Sequence, residues 1–229
     1  MLRKLNGGNF VTNNITPDAW MQHFRKVLGG ETLNSSRIVL QSFKYDAILD
    51  PLFSAEELAY ALWSLKNNKA SGFDGIPAEM IKCAAKNYEI FYTWLNAFNS
   101  MYSMGEYHSH WETSIMHTIF KNKGSKESPD NYRGIALAQI LSKVYSKLLY
   151  ERLRRWACHG NKISIYQAGF RAGYSTMDNI FVLDHMISKY LSYAGGALYC
   201  AFIDFEKAFD TINRKNFGKN CGHWVAPRE

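Results

Sequence analysis

The sequence predicts an α+β fold, in which helices and strands mix without regular βαβ repetition. Three observations carry that expectation. Apolar residues recur at helical spacing after Ser54, across 137–156 and after Ser175. A strand-like stretch covers Ser114 to Phe120 and is followed by a loop rich in Lys, Gly, Ser, Pro and Asp. Seven apolar residues, Ala197 to Ile203, then run straight into Asp204. With 229 residues and 47% apolar content the chain can build one or two domains, and 15% aromatic content argues against disorder.

The elements follow in order. Residues 1–50 are punctuated by Asn, Gly and Ser, with one helical candidate at 19–28 carrying Trp20, Phe24, Val27 and Leu28. Ser54-Ala-Glu-Glu57 is a capping-box pattern that opens a helix with Leu58, Ala61, Leu62 and Leu65 on one face. Gly72 and Gly75 make a turn, and Pro77 stands where a helix can begin. That helix, or a broken pair, runs toward Met104 with Gly105 as its stop.

Ser114 to Phe120 reads as a strand, and Asn122 to Asn131 as a loop or hairpin tip. Leu137 to Trp156 reads as a long amphipathic helix. Leu137, Ile140, Leu141, Val144, Leu148 and Leu149 form its apolar side, with Lys143, Lys147 and Arg154 on another. Ser175 and Asp178 cap the next helix, whose Leu183, Met186, Ile187 and Tyr190 repeat at helical spacing until Gly195-Gly196. After those glycines, Ala197 to Ile203 fits a strand buried on both faces.

The net charge of +7 and a pI near 9.1 favour an anionic partner. Between Trp111 and Arg155 stand nine Lys/Arg and four acids, an excess of five. Lys121, Lys123, Lys126, Arg133, Lys143, Lys147, Arg152, Arg154 and Arg155 could together neutralise a phosphate backbone, or simply stud a solvated helix face. Cys83, Cys158, Cys200 and Cys221 are widely spaced, with no Cys-x-x-Cys pair. That pattern speaks against a zinc site or disulfide framework and for a reducing intracellular home. No signal peptide or apolar run of ~18–20 residues is present, so no membrane is expected, and nucleus and cytoplasm are not separated.

An acid at the carboxyl end of a buried strand is costly unless a cation or polar ligand meets it. Mg²⁺ with phosphates, a partner Arg or Lys, or a ligand at the sheet edge would serve. Strand periodicity would put Asp204 and Glu206 on one face if the strand continued that far, so spacing alone does not choose among Asp204, Glu206 and Asp210. A salt-bridged or capping acid is the plain alternative.

The segment Asp204-Phe-Glu-Lys-Ala-Phe209-Asp210 resembles the first catalytic palm motif of reverse transcriptases from non-LTR retrotransposons of the long-interspersed-element type. Three further segments match that family in the right order. They are Asn67-Asn-Lys-Ala-Ser-Gly-Phe-Asp-Gly-Ile76, Asn131-Tyr-Arg-Gly-Ile135 and Gln167-Ala-Gly-Phe-Arg171 followed by Ser175-Thr176. One such motif is weak, and four in series are specific.

The resemblance implies a connector over 1–50, fingers and the start of the palm over 51–196, and the first catalytic palm strand over 197–229. It implies RNA-directed DNA synthesis on an RNA template from a DNA primer, with deoxynucleoside triphosphates as substrates. Two Mg²⁺ ions ~3.5–4 Å apart would serve the complete enzyme, with Mn²⁺ as a possible substitute. It selects Asp204 as the catalytic metal ligand, helped by the backbone carbonyl of Phe205. Phe209 takes the place of the bulky residue that excludes a ribose 2′-hydroxyl.

Lys121 and Arg133 resemble the finger cations that clamp the triphosphate, one a flexible point charge and the other a planar fork. Lys123 and Lys126 compete with Lys121. Gln167, Gly169 and Arg171 are implied template contacts, with Phe170 favoured as packing. Lys69 is a template contact or the partner of Asp74 in an ion pair.

Departures accompany the matches. Phe73 and Thr118 stand where the family commonly has proline, and beyond Asn213 the resemblance fades through Gly218-Lys-Asn-Cys221, although Trp224 and Pro227 echo it. The chain contains no Asp-Asp pair, hence no aromatic-x-Asp-Asp motif. The sequence therefore predicts a truncated element copy or incomplete gene product holding half of the metal site, inactive alone. The alternative function is a remnant that only binds RNA. A small-molecule α/β enzyme is disfavoured, because no glycine-rich phosphate loop follows an early strand.

Overall fold

The computed structural model describes residues 14–28, 45–160, 162–205 and 208–210. These form two compact units: the residues up to Leu153 together with Phe209 and Asp210, and a second within 154–208. Mixed helices and one small sheet agree with the α+β expectation.

The first unit opens with α1, Pro17–Val27. Thr16 caps it by accepting from the Ala19 N–H at 3.2 Å, and Pro17 sits where a missing N–H costs nothing. α2, Ala55–Trp63, begins with the capping box read from the sequence: the Glu57 N–H donates to Ser54 Oγ at 3.2 Å and the Ser54 N–H to Glu57 Oε2 at 3.0 Å. The segment read as one helix or a broken pair is a pair, α3 (Ala78–Ala84) and α4 (Tyr88–Met104). Gly105 closes α4 at φ +64°, in the left-handed region where a side chain is disfavoured.

β1 (Ile115–Phe120) and β2 (Tyr132–Leu137) form an antiparallel hairpin, and α5 (Ile140–His159) follows. The core of this unit joins Phe53, α2, α3, α4 and α5, with Leu58, Leu62, Phe98 and Val144 fully enclosed.

Four expectations are corrected. Leu137 does not start a helix but pairs with Ile115 at the end of the ladder, because strand pairing across the hairpin overrides its helical spacing to Ile140 and Leu141. Arg152 is no part of a solvated cationic face. It is 4% exposed, and its Nε and Nη2 donate to Glu57 Oε1 and Oε2 at 3.1 and 2.7 Å. It also donates to the carbonyls of Leu49 (3.3 Å), Pro51 and Leu52 (2.8 Å) while stacking on the Phe53 ring at 4.3 Å.

The second unit holds α6 (Thr176–Leu191), whose Ser175/Asp178 capping box is as read. The helix ends at Ser192, before the two glycines, and buries no residue, so its apolar spacing does not mark a core face. Ala197 to Phe205 form no strand; Tyr199 is 95% and Phe202 84% exposed. A strand is buried only where neighbours supply hydrogen bonds and cover, and among the described residues β1 and β2 pair with each other. Glu206 and the segment 211–229, with Cys221, Trp224 and Pro227, lie outside the described residues.

Candidate functional site

The hairpin sets the geometry of the best-formed candidate. Ile119 pairs with Arg133 and Phe120 with Tyr132, and the Lys121 N–H donates to the Asn131 carbonyl at 2.8 Å, extending the ladder by one step. Side chains alternate across a strand, so paired Ile119 and Arg133 share one face of the ribbon, while Lys121 follows β1 directly and Asn131 lies in the short 3-10 turn before β2. The two predicted finger cations therefore stand near the loop end of one hairpin, Arg133 in β2 and Lys121 directly after β1.

Arg133 is exposed, and among the described residues no hydrogen bond or ion pair engages its guanidinium. Lys121 Nζ rests on the Asp130 carbonyl at 2.8 Å. Lys123 is exposed in the loop, and Lys126 Nζ lies over the Phe120 ring at 6.0 Å, on the other face.

That other face is aromatic and covered. Phe120 and Tyr132 have ring centroids 5.2 Å apart, and Trp20 of α1 meets Tyr132 edge-on at 5.0 Å. Gly134 is needed here for close approach. A Cβ on it would lie 2.6 Å from Phe24 Cε1 and 2.9 Å from Met116 Sδ. The hairpin tip is tied internally: Tyr132 Oη donates to the Lys126 carbonyl at 2.8 Å, and Asn131 Nδ2 to the Ser125 carbonyl at 2.8 Å.

The first motif, Asn67–Ile76, is held to α3. Lys82 Nζ donates to the Leu65 carbonyl (2.6 Å) and to Asn67 Oδ1 (2.8 Å), and the Asn68 N–H donates to Glu79 Oε1 at 2.5 Å. Asp74 accepts from the Ile76 N–H at 3.1 Å in a local turn and forms no ion pair with exposed Lys69. Gly75, at φ +68°, makes the turn, whereas Gly72 has a different reason. A Cβ there would meet the Gln139 nitrogen at 2.7 Å and the Ala138 carbonyl carbon at 2.9 Å, so the motif packs directly on the backbone leading into α5.

In the second unit Gln167, Gly169 and Arg171 fall in one turn-rich segment. Arg171 Nη1 donates to the Ser164 carbonyl at 2.8 Å and its guanidinium stacks on Tyr174 at 4.0 Å. Gln167 Nε2 donates to the Gly169 carbonyl at 3.3 Å, and nothing stands within 4 Å of where a Gly169 Cβ would be. Phe170 was expected to pack. It is 88% exposed at φ +62°, a backbone region costly for a bulky residue.

Asp204 and Phe205 lie exposed in the same unit, while exposed Phe209 belongs with the first. Among the described residues no three His, Cys, Asp or Glu side chains gather as a metal site. The carboxylate of Asp204 and a backbone carbonyl are nevertheless hard oxygen donors of the kind Mg²⁺ takes alongside waters and phosphates. No helix among the described residues is long and apolar enough to cross a membrane.

Residues 120–227, which begin at the end of β1 and take in Lys121, Arg133 and Asp204, match the sequence model of the family described as reverse transcriptase (RNA-dependent DNA polymerase). Over this segment, a little under half of the chain, the sequence is similar to the reverse transcriptase family. Relatives extend the likeness upstream. A probable RNA-directed DNA polymerase from transposon BS of Drosophila melanogaster is 28% identical over 80% of this chain and 19% of its own length. That of transposon X-element is 27% identical over 75% of this chain and 18% of its own. The RNA-directed DNA polymerase from mobile element jockey is 27% identical over 69% and 17%.

The chain thus spans about a fifth of the length of these relatives. The resemblance read from the four motifs is borne out. Reverse transcriptases act on nucleic-acid templates and primers with nucleotide substrates, and generally use divalent metal ions.

Three features of this chain were not read from its sequence. Arg152 follows Tyr145 and Leu148 at i+7 and i+4, on the buried side of α5, and that spacing could have revealed it. Gly72 and Gly134 were legible as turn and motif residues, but their crowding depends on partners 67 and 110 residues away. Trp20 and Phe24 carried the i, i+4 signal of a buried face, with nothing to name what covers it.

Proposed function

We propose that this chain supplies the fingers and first palm segment of an RNA-directed DNA polymerase of a non-LTR retrotransposon, and that the β1–β2 hairpin grips the incoming deoxynucleoside triphosphate. The observation that carries this reading is the placement of Arg133 in β2 and of Lys121 directly after β1, tied by its N–H to Asn131, at the loop end of one hairpin. A planar guanidinium can fork onto two phosphate oxygens while an ammonium adds a movable charge beside it. Lys121 must exchange the Asp130 carbonyl for phosphate, so Arg133 is the stronger contributor.

Asp204 with the carbonyl of Phe205 would hold one Mg²⁺, or Mn²⁺ in its place. When bound, the ion neutralises charge on the triphosphate. Phe209 would set sugar selectivity by bulk. In the second unit Arg171, Gln167 and Gly169 would meet the RNA template, where Gly169 leaves room for close approach and Arg171 can trade its carbonyl contacts for a phosphate; in the first unit Lys69 is a separate template contact.

The test is titration of a deoxynucleoside triphosphate with Mg²⁺ into the 229-residue chain. A charge-assisted hydrogen bond contributes about 1.5–3 kcal/mol, so Arg133→Ala should weaken binding roughly 10- to 100-fold. Lys121→Ala should cost less, and Phe209→Val should erase discrimination against the ribonucleotide. Wild-type affinity in Arg133→Ala would refute the grip.

A further inference from the structure

The hairpin has two unlike faces, and among the described residues only one of them is covered. The cationic face stands open, while the aromatic face is taken by a helix from far upstream in the chain. Within α1 and its cap, Trp20, His23, Phe24, Val27 and Leu28 are half-buried on one side, and Met21, Arg25 and Lys26 are exposed on the other. The buried side is the one that meets the hairpin.

Trp20 stacks with Phe24 at 5.8 Å and abuts Tyr132 at 5.0 Å. Phe24 fills the space left by the missing side chain of Gly134, immediately after Arg133. His23 Nδ1 lies 3.7 Å from Asp130 Oδ1, and the carbonyl of that same Asp130 holds Lys121 Nζ at 2.8 Å. These contacts of Trp20, Phe24 and His23 fall on Tyr132 and Gly134, which flank Arg133, and on Asp130, whose carbonyl holds Lys121.

A two-stranded ribbon has little stability of its own and needs packing on one face to hold a fixed shape. A phosphate-binding pair also has to be held in place before its ligand arrives, or binding must order it first.

We infer that α1 is a positioning brace for the nucleotide grip, with Trp20 and Phe24 clasping the back of the hairpin at Tyr132 and Gly134 so that Arg133 and Lys121 are presented at a set angle and spacing. This rests on the grip assigned to the hairpin above. It gives the upstream segment a part in nucleotide affinity although none of its side chains needs to touch the nucleotide. Gly134 is then a seat for Phe24, and any side chain there competes with the helix.

The experiment compares Trp20→Ala, Phe24→Ala, Phe24→Leu, Gly134→Ala and Arg133→Ala in the full 229-residue chain. Hydrogen–deuterium exchange of the β1–β2 amides is read against that of α2 and α4, together with deoxynucleoside triphosphate affinity. Trp20→Ala and Phe24→Ala should speed hairpin exchange at least tenfold, leave α2 and α4 protected, and weaken nucleotide binding several-fold. Phe24→Leu should restore much of both. Gly134→Ala should imitate Phe24→Ala and add little to it in the double variant.

Arg133→Ala should weaken binding with hairpin exchange unchanged, which separates contact from bracing. Unchanged hairpin exchange in Trp20→Ala/Phe24→Ala overturns the brace, as does a loosened hairpin that binds nucleotide at wild-type affinity. If Arg133→Ala binds normally the grip itself fails, and the positioning role falls with it while the exchange result still reports what holds the ribbon.

Discussion

Replacing Arg152 with methionine tests the reading of the core most directly. The guanidinium donates to both oxygens of Glu57 and to three carbonyls in 49–52, and stacks against Phe53 and, at 5.6 Å, Tyr102. Methionine keeps most of the stem's packing and removes the fork. Glu57 would keep its Ser54 N–H but lose its cation in a place where only a fifth of its side chain is exposed, and the carbonyls would lose their donor.

Removing one partner of a buried ion pair costs about 3–5 kcal/mol. A domain of this size holds ~5–15 kcal/mol in all, so between a fifth and all of the margin is at stake. Urea unfolding should show a lower midpoint with unchanged slope. The pair Arg152→Met/Glu57→Gln should recover part of the loss, because the carboxylate charge that faced the guanidinium is gone as well, and Arg152→Lys should fall between. A loss under about 1 kcal/mol, the value of a surface pair, would show that the site is solvated and the buried-fork account wrong.

Two more outcomes follow from geometry already described. Gly72→Ala places a methyl 2.7–2.9 Å from the backbone at Ala138–Gln139, which cannot swing aside. It should cost about 1–3 kcal/mol in urea unfolding, more than Gly75→Ala, which faces open space and meets only an unfavourable φ. If the chain binds single-stranded RNA through α5, log affinity should fall with log salt by about 0.7 per phosphate met. Lys143→Ala should flatten that slope more than Lys147→Ala, since Lys147 already pairs with Glu151 at 2.7 Å and lies over Tyr150 at 4.9 Å; equal slopes in both variants and wild type would mean that α5 meets no phosphate.

Local signals proved legible wherever one turn of chain decides the outcome. The capping boxes at Ser54 and Ser175, the stop at Gly105, the strand before Phe120 and the polar hairpin tip all depend on neighbours a few residues away. The candidate cations were read from a motif, and the Ile119–Arg133 pairing with the Lys121–Asn131 hydrogen bond sets both near the loop end of one hairpin. What escaped was decided at long range. Arg152 reads as one cation in a row of nine until Glu57, 95 residues earlier, lies beside it. The apolar run Ala197 to Ile203 has the composition of a buried strand, yet composition does not supply the neighbouring strands that would bury it.

The approach to α2 shows what kind of drift the fold tolerates. Residues 49–53 form no helix or strand, and their path is fixed by three side chains from elsewhere. Asn99 accepts from the Phe53 N–H at 2.6 Å and donates to the Phe53 carbonyl at 3.1 Å. Tyr102 Oη donates to the Leu49 carbonyl, and Arg152 to those of Leu49, Pro51 and Leu52. All of these contacts read main-chain atoms, which every residue type carries. Among related elements, positions such as exposed Leu52 are thus free to change identity while the bend persists. Asn99, Tyr102 and Arg152 have no such freedom, so a lineage would record this bend in α4 and α5 and not in the segment that bends.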